Sequence, residues 1–429
     1  MRRRTPRGLR LVAGLAALVA LGTLLMALPV SGSTRALTWN EAFFTAVSAL
    51  TVTGLSVITP GEDLSLFGQV LLLILFQVGG VGFMVLAVVV FRLLGRRVSF
   101  QERLDLQDSL GVLNVGSVLR LTRSVLLGAL LLQGSGTLLL WGLWAGTYGA
   151  GRALFLATWH SASAFCNAGF DLFSGSPDVH GGIPGDAGTL LTMAGLIACG
   201  SLGVPVLFDL TQWPRTRRLS LHSRLTLSTS GILVAVGTLG LLVSSGRPLL
   251  EAFFLSVASR SGGLAVEPLE QLDGGSILLL SALMFVGGSP ASMGGGVKTS
   301  TLAVLALASL AFVRGRRQVV VGGRTLPPET LHKAATLFFL GLTSVGGLAW
   351  LLAVTQQARV EEAVFEAASA FSTCGFSIGL ASRVDPLGQV LLAVTMFIGR
   401  LGLLTLVVFL SRRERENLLE YPEERIPLG

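Results

Sequence analysis

The sequence predicts an all-α integral membrane protein with eight spanning helices, arranged as four tandem copies of one helical unit. This fold class follows from the composition, from the placement of the basic residues and from two recurring glycine motifs. Of the 429 residues, 51% are hydrophobic and 13% are charged, whereas a soluble domain has about 25% charged residues. Most of the protein surface must therefore face something other than water.

Long apolar runs have the length of a membrane crossing, which needs about 20 residues for a hydrocarbon core of ~30 Å. Clear examples are Leu11–Val30, Val70–Phe91, Val125–Trp144 and Val390–Leu410. The first run follows basic residues, as the apolar core of a cleaved signal peptide would. It is about twice as long as such a core, however, and no clear small-x-small cleavage site follows it before Ser31. We therefore expect a membrane helix.

The basic residues lie in groups at the ends of apolar runs. The groups are Arg2–Arg10, Arg92–Arg103, Arg215–Arg218, Arg314–Arg317 and Arg412–Arg415. Because cytoplasmic loops carry an excess of Lys and Arg, this pattern predicts a multi-pass protein of the cell (plasma or inner) membrane with both termini cytoplasmic. The net charge of +8 then reflects topology and contact with anionic membrane lipids, and we expect no nucleic acid partner.

Two glycine motifs recur along the chain. The first occupies Ser48–Gly54, Ser163–Gly169 and Ser369–Gly375, with a copy one residue longer at Ser256–Gly263, where Gly262 and Gly263 both remain candidates for the final glycine. The second begins 24 to 31 residues after the first, at Gly79, Gly200, Gly287 and Gly399. Glycine is common in membrane helices, but two motifs at near-constant spacing in four copies indicate an internal repeat.

Each repeat has the same order of elements: a long apolar helix, a short segment, the first glycine motif, a polar turn and a second long helix. The short segments are Asn40–Leu50, Arg152–Phe165, Leu249–Val257 and Val360–Phe371. Segments of this length cannot cross a bilayer, so each must enter and leave on the same face, which makes eight spans in all.

The repeats divide the chain into four parts. We assign 1–95 to repeat 1, 96–213 to a cytoplasmic linker helix and repeat 2, 214–318 to repeat 3, and 319–429 to repeat 4 and a cytoplasmic C-terminal tail. The linker helix would begin at a capping box, Ser99–Glu102.

Re-entrant segments place irregular backbone inside the membrane, which is tolerated only where the backbone is buried in protein or lines a watery cavity. Four such segments around one axis would offer carbonyl oxygens to a dehydrated cation. The short helices would also point the negative ends of their dipoles at the ion. We therefore predict helix–pore-helix–filter–helix repeats around a pseudo-fourfold pore for a monovalent cation. For any single copy, close helix packing by small residues is the competing interpretation.

The second long helix of repeat 3 contains a break. Five glycines and a proline lie in Gly287–Val297, and no continuous helix favours that composition. The sequence therefore predicts a helix–loop–helix at membrane depth. The run Gly294–Thr299 is superficially similar to a phosphate-binding loop, but Val297 separates the last glycine from Lys298, and we reject nucleotide binding there.

Arg400 lies inside the last apolar helix. An arginine at the bilayer centre costs about 2.5–3.5 kcal/mol on insertion scales, so we expect it to face the protein interior or a watery cavity. A buried pair with a carboxylate is one interpretation, and a positive charge on the ion path is another.

Catalytic chemistry is not indicated. His160, His180, His222 and His332 are far apart and lack the spacing of metal ligands, and Cys166, Cys199 and Cys374 form no disulfide framework. We expect a protein that is not an enzyme and that has no prosthetic group.

Over essentially the whole chain, the motifs resemble those of the Trk/Ktr/HKT superfamily of potassium transporters, in particular the membrane subunit of the KtrB type. The resemblance rests on Thr51–Leu55, Asn167–Asp171, Arg260–Leu264, Ser372–Phe376, Gly287–Thr301 and Gly399–Gly402. Two departures are mild: Ser261–Gly263 stands where Thr-Ala-Gly is usual, and Gly200–Gly203 lacks a double glycine.

The resemblance implies a backbone selectivity filter. Its residues would be Thr51, Val52, Thr53, Gly54, Cys166, Asn167, Ala168, Gly169, Ser261, Gly262, Gly263, Ser372, Thr373, Cys374 and Gly375, with K⁺ at the carbonyls of Gly54, Gly169, Gly263 and Gly375. In related plant transporters a serine at the first filter position accompanies sodium selectivity, so four glycines favour potassium.

The resemblance also implies a gate below the filter. It would consist of Gly287, Gly288, Ser289, Gly294, Gly295, Gly296, Lys298 and Arg400. The expected function is potassium uptake through a gated, channel-like pore. The alternatives are a sodium-coupled or sodium-selective transporter of the same fold, with sodium as substrate or activator, and an alternating-access transporter, although the latter usually has two inverted halves.

Two protein partners follow from the resemblance as well. One is a second copy of the chain in a homodimer, and the other is a cytosolic KtrA-type ring that would bind ATP or ADP. Nucleotide would then act only through that partner subunit.

Overall fold

The computed structural model of the protein describes residues 7–82, 118–174, 182–290, 292–316 and 318–401. These residues are mostly helical. The helices are α1 (Arg7–Met26), α2 (Trp39–Thr51), α3 (Pro60–Asp63), α4 (Leu66–Val81), α5 (Val118–Tyr148), α6 (Ala150–Cys166), α7 (Ala187–Leu202), α8 (Val204–Thr216), α9 (Leu221–Ser245), α10 (Leu249–Ala258), α11 (Gly274–Phe285), α12 (Thr299–Val313), α13 (Pro328–Thr355), α14 (Val360–Ser372) and α15 (Pro386–Leu401). Two short strands, β1 (Val320–Val321) and β2 (Arg324–Thr325), pair as an antiparallel hairpin.

Within the described ranges, three helices are long and apolar enough to cross a membrane. They cover Leu126–Tyr148, Leu221–Ser245 and Pro328–Thr355. Helices α7 and α8, bent by 104°, would together count as a fourth. The predicted helices Val70–Phe91 and Val390–Leu410 continue beyond the described residues, so the expectation of eight spans stays a prediction. The predicted linker helix at 99–102 lies wholly outside them.

The helices pack in a closed cycle. Each short helix contacts the long helix that precedes it, in the pairs α1–α2, α5–α6, α9–α10 and α13–α14. Each also contacts the second helix of the preceding unit, in the pairs α4–α6, α7–α10, α11–α14 and α15–α2. The last of these pairs joins the end of the described chain to its beginning, so one packing relation recurs four times around a common centre.

The second helix of each unit begins at a side-chain cap. Ser65, Asp186, Asp273 and Asp385 each accept a hydrogen bond from the amide three residues further on, at 2.7 to 3.2 Å. Such caps satisfy one of the free amides at a helix start and stabilise it by about 1 kcal/mol. The polar turn expected after each glycine motif is therefore also the start signal of the next helix.

The hairpin was not predicted from the sequence. Its turn, Gly322-Gly323, has φ values of 57° and 78°, the left-handed conformation that two-residue hairpin turns require. Strands of two residues leave no periodic pattern in a loop, so only the double glycine could have indicated them.

Candidate functional site

Three of the four short helices end in the same way. The residue after the last helical turn is left-handed, at Val52 (φ 57°), Asn167 (φ 56°) and Thr373 (φ 48°). In the third unit Ser261 takes this conformation, with φ 76°. Each of these residues stands two positions before the final glycine of its motif, so the backbone turns at the same point in all four segments.

This conformation is costly for β-branched residues such as Val52 and Thr373. Six non-glycine residues of the described chain have positive φ, and four of them are in these segments. Strained backbone of this kind costs about 1–3 kcal/mol per residue and collects at functional sites. The four segments are therefore the first candidates for the functional site of the protein.

The final glycines of the four segments meet one another. A Cβ added to Gly54 would lie 2.7 Å from the Cα of Gly169, and one added to Gly263 would lie 2.8 Å from the same Cα. One added to Gly375 would lie 3.2 Å from the Cα of Gly54. All four have positive φ, between 64° and 101°. Residues more than 300 positions apart thus form a ring in which only hydrogen fits as a side chain.

The structure places Gly263, and not Gly262, in this ring. Gly262 faces the side chain of Ile197 and the backbone of Ala258, and its φ is not positive. Gly263 instead lies against Gly169 and the carbonyl oxygen of Cys374. The third motif has one residue more than the others, and that extra residue precedes Gly263.

Backbone carbonyl oxygens lie against the ring glycines. The carbonyl oxygens of Thr53, Ala168 and Cys374, each from the residue before a ring glycine, are the atoms that a Cβ on a neighbouring segment's glycine would meet. Such oxygens are uncharged acceptors, and several of them around one point can replace the hydration shell of a cation. The chemistry of the site is dipolar.

Motif serines hold two of the segments. Ser48 and Ser369 accept hydrogen bonds at Oγ from the amides of Gly54 and Gly375, both at 3.1 Å. Ser163 instead donates to the carbonyl of Phe170 at 2.7 Å. The motif serine therefore holds the ring glycine directly in the first and fourth segments, whereas Ser256 of the third donates to the carbonyl of Val234.

A polar cavity opens next to the ring. It has a volume of about 140 Å³ and is lined by Gly54, Gly169 and the turns that follow them. Asp171 lines it too, and its Oδ1 accepts from the amides of Phe173 at 2.9 Å and Ser174 at 2.6 Å. The cavity therefore reaches two of the four ring glycines, Gly54 and Gly169.

The second glycine motif has a packing role. A Cβ on Gly79, Gly200 or Gly399 would collide with a carbonyl oxygen at the end of a short helix, belonging to Leu50, Phe165 and Phe371 respectively. These three carbonyls occupy the same motif position, four residues before the ring glycine. Glycine is required here because two backbones approach closely.

The third unit departs from this pattern because its second helix is interrupted between Phe285 and Thr299. Gly287 lies against the carbonyl oxygen of Gly295, which belongs to the interrupting loop itself. We call the described residues 286–290 and 292–298 the inner loop.

The inner loop contacts the other units below the ring. The Ser289 amide donates to Ser201 at 2.9 Å, and the Met293 amide donates to Gly200 at 3.1 Å. The Gly295 amide donates to the hydroxyl of Thr373 at 3.0 Å. The loop therefore bridges the second and fourth units at residues that precede the ring glycines or pack beneath them.

Arg400 joins the inner loop to the first unit. Its guanidinium donates to the carbonyls of Met293 and Gly79, and to that of Gly80 at 3.3 Å. Within the described chain its hydrogen-bond partners are carbonyl oxygens, so the structure does not pair it with a carboxylate there. Lys298, on the loop, donates to the carbonyl of Gly294 at 2.6 Å.

Arg260 is a further contact that sequence reasoning missed. It is buried, and it donates to the carbonyls of Gly287 at 3.0 Å and Ser230 at 3.2 Å. A charged residue within a motif of small residues was the available signal. Its guanidinium holds the start of the inner loop.

The sequence model of a family described as "TrkH: Cation transport protein" matches residues 16–245 and 232–421. A solved structure, the potassium transporter TrkH from Vibrio parahaemolyticus, superposes with a TM-score of 0.74 and 20% sequence identity, covering 96% of this chain and 86% of that one. That likeness concerns the fold.

Relatives found by sequence are more similar to this chain than that structure is. The Ktr system potassium uptake protein B of Bacillus subtilis (strain 168) is 33% identical, covering 96% of this chain and 94% of that protein. The protein of the same name from Vibrio alginolyticus is 34% identical over 94% and 91%. The potassium/sodium uptake protein NtpJ of Enterococcus hirae is 30% identical over 98% and 96%.

Proposed function

This chain belongs to the TrkH family of cation transport proteins, and we propose that it takes up potassium through a gated, channel-like pore with a backbone selectivity filter. Membership makes it a multi-pass membrane transporter and not an enzyme. The observation that supports the finer proposal is the ring of Gly54, Gly169, Gly263 and Gly375, against which uncharged carbonyl oxygens lie.

The filter would consist of the four segments that end at these glycines. Each runs from the last turn of a short helix, through a left-handed residue, to the ring glycine. The helices' negative dipole ends face the ring, which favours a cation without binding it through a full charge. Such a site lets the ion leave as readily as it enters.

Potassium is the ion we assign. All four ring positions are glycine, and two of the relatives are named for potassium uptake. The relative named for potassium and sodium supports the second candidate, a transporter of this fold that also carries sodium or is activated by it.

Ion flux into liposomes tests this assignment. Protein reconstituted into vesicles with an outward potassium gradient is expected to carry potassium at least about tenfold faster than sodium, a difference of about 1.4 kcal/mol in barrier. Tracer uptake in each salt, with empty vesicles as the control, is the measurement. Equal rates for the two ions would contradict the filter. Flux that still requires a transported cation on the opposite side when a proton ionophore dissipates the membrane potential would favour an exchange mechanism.

We further propose that four repeats with the bounds 1–95, 96–213, 214–318 and 319–429 make eight spans, with both termini cytoplasmic. The cyclic packing of the four short helices supports this arrangement, and so does the position of Arg215–Arg218 and Arg314–Arg316 at the ends of α8 and α12. The inner loop, Arg400 and Lys298 would then lie on the cytoplasmic side of the filter as its gate.

A homodimer and a cytosolic nucleotide-binding ring are the proposed partners. The relatives' names speak of a Ktr system, which implies more than one component. We expect this protein to co-purify with a KtrA-type ring and its flux to respond to ATP or ADP only when the ring is present. Flux that is identical with and without the ring, at any nucleotide concentration, would contradict this partner.

A further inference from the structure

Two buried side chains occupy the same position behind different filter segments. His160 stands nine residues before Gly169, and Glu366 stands nine residues before Gly375. The Nε2 atom of His160 accepts a hydrogen bond from the amide of Leu172 at 3.1 Å. Oε1 of Glu366 accepts one from the amide of Ile378 at 3.2 Å. Both amides come three residues after the ring glycine, so the two contacts are equivalent.

The histidine is fixed in one orientation. Its Nδ1 lies 2.7 Å from the carbonyl oxygen of Leu156, which can only accept, so Nδ1 carries the proton and Nε2 is free to accept from Leu172. The ring stacks on Phe173 with centroids 4.6 Å apart, and Trp144 meets it edge-on at 5.6 Å. Neither His160 nor Glu366 exposes any surface.

The glutamate receives a second donor, because the hydroxyl of Ser377 also donates to Oε1. Its other oxygen, Oε2, is buried and has no hydrogen-bond partner in the described part of the chain. A buried polar atom without a partner is costly. This unfavourable burial accompanies a useful contact, because Oε1 holds two successive residues of the filter's outer turn, Ser377 and Ile378.

The other two units lack this contact. Thr45 has the equivalent place in the first unit, nine residues before Gly54, but its buried hydroxyl has no hydrogen-bond partner among the described residues. In the third unit both candidate positions, Phe253 and Phe254, are apolar. The contact therefore distinguishes segments 2 and 4 from segments 1 and 3.

Segments 2 and 4 lie across the ring from each other. In the closed cycle of helices each short helix contacts the second helix of the preceding unit, so units 1 and 3 separate units 2 and 4. At the ring itself, the carbonyl oxygen of Cys374 lies against both Gly263 and Gly169. The two polar contacts therefore hold opposite sides of the ring, while the two intervening segments are free of them.

We propose that His160 and Glu366 are positioning residues that set ion preference by holding the outer turns of filter segments 2 and 4 through equivalent backbone hydrogen bonds. This rests on the proposed function of the glycine ring as a filter. An uncharged filter discriminates ions through the placement of its carbonyls. We call the hydrogen bonds of His160 to Leu172 and of Glu366 to Ile378 the clamps, and each clamp fixes a turn directly after a ring glycine. Loss of one clamp frees one side of the ring without touching the glycines.

Paired substitutions test the proposal. His160→Leu and Glu366→Leu remove the acceptor at similar volume, and we expect each to lower potassium-over-sodium preference in reconstituted vesicles about three- to tenfold, the worth of one buried hydrogen bond. His160→Gln and Glu366→Gln keep an acceptor oxygen, and we expect ion preference within about twofold of the wild type. Thr45→Val, which removes the unpartnered hydroxyl, is the matched control and should change nothing.

Recovery of preference by glutamine separates positioning from mere packing. Equal loss of potassium-over-sodium preference in the leucine and glutamine variants would overturn the clamps. The clamps are also overturned, and the filter stands, if the leucine variants keep the preference while Gly263→Ser loses it. If Gly263→Ser also keeps the preference, the filter itself fails. Should Glu366→Leu not reach the membrane, Ser377→Ala takes its place in segment 4. Removal of one donor to Glu366 is expected to lower the preference about threefold, beyond the twofold range set for the glutamine variants. A value within that range would overturn the clamp in segment 4.

Discussion

Replacing Gly263 by serine is expected to lower potassium-over-sodium discrimination about tenfold or more. The residue has φ 64°, a conformation that costs a residue with a Cβ about 1–2 kcal/mol. A Cβ there would also collide with the carbonyl oxygen of Cys374 and lie 2.8 Å from the Cα of Gly169. Because both neighbours are backbone, the ring itself must shift, and its carbonyls move with it. Flux of each ion in vesicles gives the ratio.

Gly315→Ser is the matched control for this substitution. Gly315 has φ 67°, and among the described residues nothing lies within 4 Å of a Cβ placed on it. It therefore carries the same backbone strain without a neighbour in the ring. We expect unchanged discrimination in this variant. Equal loss in both would mean that general strain, and not the ring, sets the preference, and an unchanged ratio in Gly263→Ser would remove this glycine from the filter.

Neutralising Arg400 is expected to raise basal potassium flux about tenfold. The guanidinium ties the inner loop at Met293 to the first unit at Gly79 and Gly80, and a hydrogen bond to a charged group contributes about 1.5–3 kcal/mol. Arg400→Gln removes the charge and frees the loop below the ring, so that the loop obstructs the path less often. Flux without any activating partner is the measurement.

Arg400→Lys provides the comparison, since it keeps the charge but cannot reach carbonyls on both sides at once. We expect an increase in flux smaller than that of Arg400→Gln. Shortening the loop at Gly294 and Gly295 should raise flux as well, because it removes the backbone that bonds to Thr373. Wild-type flux in well-inserted Arg400→Gln and shortened-loop proteins would contradict the gate. A protein that merely fails to insert when Arg400 is neutralised, while the shortened loop conducts normally, would assign the arginine to assembly.

The sequence by itself determined the class, the family and the local elements of this protein. Apolar length and the scarcity of charge predicted a membrane protein, and the shared family confirms that. The four short helices lie within two residues of the predicted segments; α2, for example, is Trp39–Thr51 against a predicted Asn40–Leu50. The glycines and proline after Phe285 indicated an interrupted helix. All of these are local patterns, in which the signal lies within one helix length.

The tertiary structure alone decided which atoms meet. That Gly263 and not Gly262 joins the ring, that Arg400 donates to carbonyls 107 and 321 residues away, and that Gly79 packs on Leu50 could not be read from any window of sequence. Even His160, which packs within its short helix, makes a bond to Leu172 that depends on how the chain turns after Gly169. Local propensity determines where a helix begins and ends, but side-chain partners depend on the packing of segments whose separation in sequence carries no periodic signal.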